Sequence, residues 1–126
     1  MKLARLVAAN FRLALGKLSA QPMPLRAAFR LKEIVSKIDA AAARFEEVRR
    51  AGLEKYGSRD ERSGRLIVAE SGAVSLTQEN LARLADELNE LGSMEVEVGS
   101  LSIAELGDEA MLSADDLAAL GELLTQ

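Results

Sequence analysis

The chain has 126 residues, 16 of them Lys or Arg and 20 Asp or Glu, for a net charge of −4; hydrophobic residues make up 48% of it and aromatic ones 3%. His, Cys and Trp do not occur. Without imidazole or thiolate there is no His-centred base, no Ser-His-Asp arrangement, no thiol nucleophile and no zinc-type ligand set, which removes most familiar hydrolase and redox mechanisms. The length suffices for one domain with its own core, held without a metal or a disulfide.

The small net charge conceals a division. Seven basic residues (Lys2, Arg5, Arg12, Lys17, Arg26, Arg30 and Lys32) precede the first acid, Glu33. Through Arg65 fifteen bases stand against seven acids; beyond it a single base, Arg83, stands against thirteen acids. Such asymmetry marks a nucleic-acid, membrane or oppositely charged partner, the last being the other half of the same chain or of a neighbouring copy.

Met1 to Ser19 reads as one basic amphipathic helix, with Leu3, Val7, Phe11, Leu15 and Leu18 on one stripe and Lys2, Arg5 and Arg12 on another side. Arg5, Asn10 and Arg12 interrupt the apolar run, so neither a secretory signal nor a membrane span is expected. Gln21-Pro22-Met23-Pro24 breaks the helix, and Pro24 suits the first turn of the next one. That second helix should run from Pro24 to Tyr56, with a seam of Leu31, Ile34, Ile38, Ala41, Phe45, Val48 and Gly52 spaced by three and four. Gly57 reads as its left-handed stop. A helix of about 50 Å exceeds a compact domain of this size, so it should protrude, bend near Gly52 or lie against the first helix as an extended antiparallel hairpin, the last being the expected arrangement.

Ser58 to Gly64 reads as a polar loop, Arg65 to Ala69 as a strand, and Ser71-Gly72 as a turn. A third helix begins at the N-cap Thr77, carries Leu81, Leu84, Leu88 and Leu91, and ends at Gly92. Met94, Val96 and Val98 alternate with Glu95 and Glu97 as a second strand, expected to pair with the first in a small sheet. Ser102 to Leu106 reads as a short helical turn, and Ser113-Ala114-Asp115-Asp116-Leu117 as a capped final helix with Leu117, Leu120, Leu123 and Leu124 on its apolar face. The expected fold is therefore α+β and mainly helical: a single elongated domain with a basic helical hairpin over 1–57 and an acidic strand-helix-strand-helix part over 58–126.

Candidate chemistry is sparse. The pairs Asp108-Glu109 and Asp115-Asp116 lack the spaced pattern and central Gly of a calcium loop and read as helix-capping acids. No phosphate-cradling glycine motif occurs, and Tyr56 beside Lys55 reads as a ring covering the core. The interaction candidates are Lys2, Arg5, Arg12, Lys17, Arg26 and Arg30 on the basic arm, the seam residues Leu31, Ile34, Ile38 and Phe45, and the acids Asp115 and Asp116. A pI near 5.0 and the lack of stacking aromatics disfavour nucleic acid. Head-to-tail contact of the basic arm with a neighbour's acidic region is the favoured arrangement.

The order of Leu18 before a Pro-containing break, Ala28-Phe29-Arg30-Leu31, Arg44-Phe45-Glu46-Glu47, Lys55-Tyr56-Gly57, Val96-Glu97-Val98 and Leu112-Ser113-Ala114-Asp115-Asp116-Leu117 resembles a class of short, functionally uncharacterised bacteriophage proteins. The resemblance brings no catalytic residues. It implies a non-enzymatic structural or assembly protein of a virion, located there or in the host cytoplasm, without cofactor, forming homo-oligomers or binding other phage structural proteins. The alternative is a small phage-encoded regulator or inhibitor binding a host protein or nucleic acid.

Overall fold

The computed structural model describes residues 1–126. Five α-helices, α1 (Leu3–Leu6), α2 (Ala9–Ser19), α3 (Leu25–Tyr56), α4 (Gln78–Gly92) and α5 (Ala114–Leu120), dominate it, with two short strands, β1 (Leu101–Ser102) and β2 (Leu124–Thr125). The fold is mainly helical α+β. The strands pair in parallel, Leu101 opposite Leu124 and Ser102 opposite Thr125.

The N-terminal arm is two helices, where the apolar stripe predicts one. Ala8 is extended (ψ 138°), and the side chain of Asn10 accepts the Phe11 N–H at 2.9 Å, restarting the chain as a new helix. The break lets α1 lie against α4 while α2 packs on α5. From the turn at 20–24, α3 runs back along this arm: Arg12 meets Asp39, and Leu3 shares a cavity with Phe45.

Leu3, Leu6, Phe11, Ala14, Leu15 and Leu18 from the arm, Leu31, Ile34, Ile38 and Ala41 from α3, and Val98, Leu101, Leu106, Leu120 and Leu123 from the C-terminal segment form one core. At roughly 1.5–3 kcal/mol per buried large apolar side chain, this cluster binds the basic arm to the acidic C-terminal segment. The seam of α3 divides at Ala41. Its first half is buried in that core, whereas Phe45 is half-buried and Val48 is 51% exposed.

Beyond Ala41 the main partner of α3 is α4, with Leu3 and Val96 reaching Phe45 and the 58–75 segment meeting its C-terminal end. The two run antiparallel: the Asn80 side chain donates to the Tyr56 carbonyl at 3.1 Å, Leu84 sits over Gly52, and Leu88 and Leu91 stand level with Val48 and Phe45. Thr77 caps α4 through its hydroxyl, which accepts the Asn80 N–H. Only Leu84 and Gly92 of α4 are fully buried.

The expected sheet between 65–69 and 94–98 does not form. Residues 58–75 fold on themselves through the single bridges Arg59 to Leu66 and Val68 to Val74, because Gly72 (φ +85°) closes a local turn at far less entropic cost than a distant pairing. Segment 94–98 pairs instead with the N-terminus: the Leu3 N–H donates to the Met94 carbonyl at 2.9 Å and the Val96 N–H to the Met1 carbonyl at 2.8 Å. Its alternation holds from Glu95 to Val98, with Val98 buried, Val96 half-buried, and Glu95 and Glu97 exposed, but Met94 is exposed as well. Gly57 is not left-handed (φ −64°, ψ 145°); it is needed for space, since a Cβ there would lie 2.6 Å from the Leu53 carbonyl and 2.7 Å from Leu66 and Val74. Asp60 turns the neighbouring loop by accepting the Arg62 and Ser63 N–H groups, which hold its carboxyl below the usual range.

Candidate functional site

The basic arm finds its partners within the chain. Arg5 donates to the carbonyls of Ala118 and Ala119 at 3.1 and 3.4 Å, placing a cation at the negative end of α5. Arg12 pairs with Asp39 at 2.9 Å, Lys17 with Asp116 at 3.2 Å, and Arg30 grips both oxygens of Glu105 at 2.7 and 2.8 Å while also reaching the Ser100 carbonyl. The contact expected between a basic arm and a neighbour's acidic region is thus made inside one subunit. Exposed pairs of this kind contribute about 0–1 kcal/mol each, so the apolar core holds the halves together and the charges set their register.

Asp116 completes a capping box with Ser113, each side chain accepting the other's backbone N–H. Burial opposes its ionisation, but the Ser113 N–H and hydroxyl and the Lys17 ammonium together hold its carboxyl below the usual range. Lys2, Arg26 and Asp115 are exposed and form no ion pair. Leu31, Ile34 and Ile38 belong to the core and offer no docking surface, which corrects the expectation that they form an interaction face. Of the expected apolar candidates, only Phe45 reaches the outside.

Phe45 leads into a feature that residue-by-residue reading misses. Past the core, the α3–α4 limb carries a long apolar groove, an open cavity of about 580 Å³ bordered by Val48, Gly52, Leu84, Leu88, Leu91 and Met94. A second cavity of about 220 Å³ shares Val48, Leu91 and Met94 and continues to Phe45, Leu3 and Val96. Val48 and Met94, where the two cavities join, are 51% and 56% exposed. The groove has one wall with basic residues, Arg44 and Lys55 on α3, and one with acidic residues, Glu87 and Glu90 on α4. Lys55 and Glu87 approach to 3.9 Å across it, and the Lys55 ammonium lies 4.9 Å over the Tyr56 ring. On the same limb, a hydrogen bond from Arg49 pulls the Glu46 carboxyl down to about 2, with Arg50 adding to the effect.

The signal for this groove was present in two places: the Leu81, Leu84, Leu88, Leu91 series, and the continuation of the α3 seam past Phe45 to Val48 and Gly52. What it lacked was the antiparallel register that brings the two together. No group of three or more His, Cys, Asp or Glu side chains converges anywhere, and no helix is long and apolar enough to cross a membrane. What the arrangement offers is an apolar surface with opposed charged edges. Compared with protein-family models, curated proteins and solved structures, the chain matches none.

Proposed function

We propose that this protein is a non-enzymatic interaction protein, a structural or assembly component of a bacteriophage-type particle that self-associates through a helical face. The observation that carries the reading is the uncovered apolar groove on the α3–α4 limb, in a chain whose basic arm is engaged internally through Arg5, Arg12, Lys17 and Arg30. Surfaces of this kind, apolar at the centre and charged at the rim, are what protein contacts use. The bacteriophage setting, and with it the virion or host cytoplasm as location, rests on the resemblance described above. Sedimentation of the full chain from about 1 µM to 0.5 mM tests the reading, that range covering the weak interfaces expected of a small face; a rise in mass with concentration is the expected result, and a strict monomer throughout refutes it.

A second reading, a small regulator that binds a host protein, is favoured by one other patch. Leu25 and Phe29, one turn apart at the start of α3, are 89% and 67% exposed beside the unpaired Arg26. A strict monomer that loses capture of a defined host protein on Phe29→Ala would support this second reading against the first.

A further inference from the structure

We infer that the α3–α4 groove is closed by the same groove of a second copy, with the two-fold axis running along the groove rather than across it. The inference rests on the self-association proposed above and specifies its geometry.

Two copies in face-to-face contact are related by an axis lying in the contact plane. With the axis across the groove, each wall meets its own kind: Arg44 and Lys55 confront the basic wall of the second copy, and Glu87 and Glu90 its acidic wall. With the axis along the groove, basic meets acidic on both sides. That rotation also conserves height along the limb. Lys55 then meets Glu87 of the second copy at the level where it already approaches its own Glu87, and Arg44 meets Glu90 near the Phe45–Leu91 level. Between the charged edges, Val48, Leu88, Leu91 and Met94 of the two copies cover one another. Each α3 gains a second antiparallel neighbour, the other copy's α4, so the four helices form an up-and-down bundle.

The size of the face sets the expected strength. Fifteen residues of α4 extend about 22 Å, and two helices side by side are about 18 Å wide, or roughly 400 Å² projected per copy. At roughly 800 Å² for the two faces together this lies below the range of stable complexes and among weak, transient contacts, so the dimer should dissociate at about 10–100 µM. Like-charge confrontation across such a face is enough to decide the axis, because the symmetry repeats each wall contact twice.

The test uses three variants of the full chain in sedimentation equilibrium: Val48→Glu at the groove centre, Arg44→Glu/Lys55→Glu, and Glu87→Lys/Glu90→Lys. Val48 is half-exposed and the other four positions lie at the rim, and circular dichroism checks that each variant is folded. Wild type should dimerise, Val48→Glu should weaken the dimer at least about tenfold, and each wall reversal alone by about 30-fold. An equimolar mixture of the two wall variants should recover wild-type affinity as a heterodimer, because opposite walls face again across the contact. A wild-type oligomer that is indifferent to Val48→Glu, single wall reversals that leave its affinity unchanged, as an axis across the groove requires, or wall variants that do not complement in the mixture overturn this geometry while leaving self-association standing. A wild-type monomer at every concentration overturns both.

Discussion

Replacing Gly121 with Ala should destabilise the protein by about 2–4 kcal/mol, through two routes that are separable. Gly121 ends α5 at φ +51°, ψ −121°, a backbone region closed to residues with a Cβ, and holding Ala there costs about 1–3 kcal/mol. A Cβ at this position would also collide with the Arg5 guanidinium, which lies directly over the glycine. Arg5 is flexible enough to retreat, but retreat forfeits its hydrogen bonds to the Ala118 and Ala119 carbonyls, worth about 1 kcal/mol net for a partly exposed charged donor. The sum is a large share of the 5–15 kcal/mol typical of whole domains. Urea unfolding at unchanged m-value should show it as a lowered midpoint. Arg5→Ala alone removes the same hydrogen bonds, so Gly121→Ala combined with Arg5→Ala should cost less than the two separately, by about 1 kcal/mol. A Gly121→Ala cost below about 0.5 kcal/mol would refute the backbone reasoning, and strict additivity would show that Arg5 is not coupled to the glycine.

Three further outcomes follow from the division of the chain into core and limb. Ile38→Ala should cost about 2–5 kcal/mol in urea unfolding, while Val48→Ala on the same seam should cost the monomer under about 1 kcal/mol, because only the first side chain is buried. Gly57→Ala should loosen the 58–75 fold by about 1–3 kcal/mol, seen as faster exchange of the Ile67 and Ser75 amides, whose acceptors are the Ser58 and Ile67 carbonyls. Glu46 titrates near 2 in the folded chain, because of its Arg49 hydrogen bond, against an ordinary 4.5. Its contribution is complete above about pH 4.5 and is lost as the pH falls through 2; melting from pH 5 to pH 2 should therefore drop less for Glu46→Gln than for wild type.

Local signals in the sequence carried the helices well. The Pro22 and Pro24 break, the Thr77 cap and the Ser113 to Asp116 box all lie where residue chemistry places them, because each depends on neighbours within a few positions. Pairings over long separations were not legible. Glu95 to Val98 alternates as expected but gives no indication that Met1 to Leu3 is its partner, and the two-residue strands at Leu101 and Leu124 are too short to show any period. The division of charge was plain, yet the same counts fit contact within a chain and between chains; the distances from Lys17 to Asp116 and from Arg30 to Glu105 place it within one. The groove escaped for a related reason. Each of its walls reads as an ordinary amphipathic helix, and only their mutual register leaves Val48 and Met94 uncovered.

The 32 residues of α3 make one unbroken rod about 48 Å long that passes through two environments. Around Ile38 it is clamped from several sides by the core, whereas around Val48 its main support is α4. Amide exchange along this single helix should therefore be graded: residues near Ile38 open only with global unfolding, and those from Val48 to Leu53 open through local release of the limb. Anything that settles in the groove slows the second set without touching the first, which makes the outer turns of α3 a built-in reporter of occupancy.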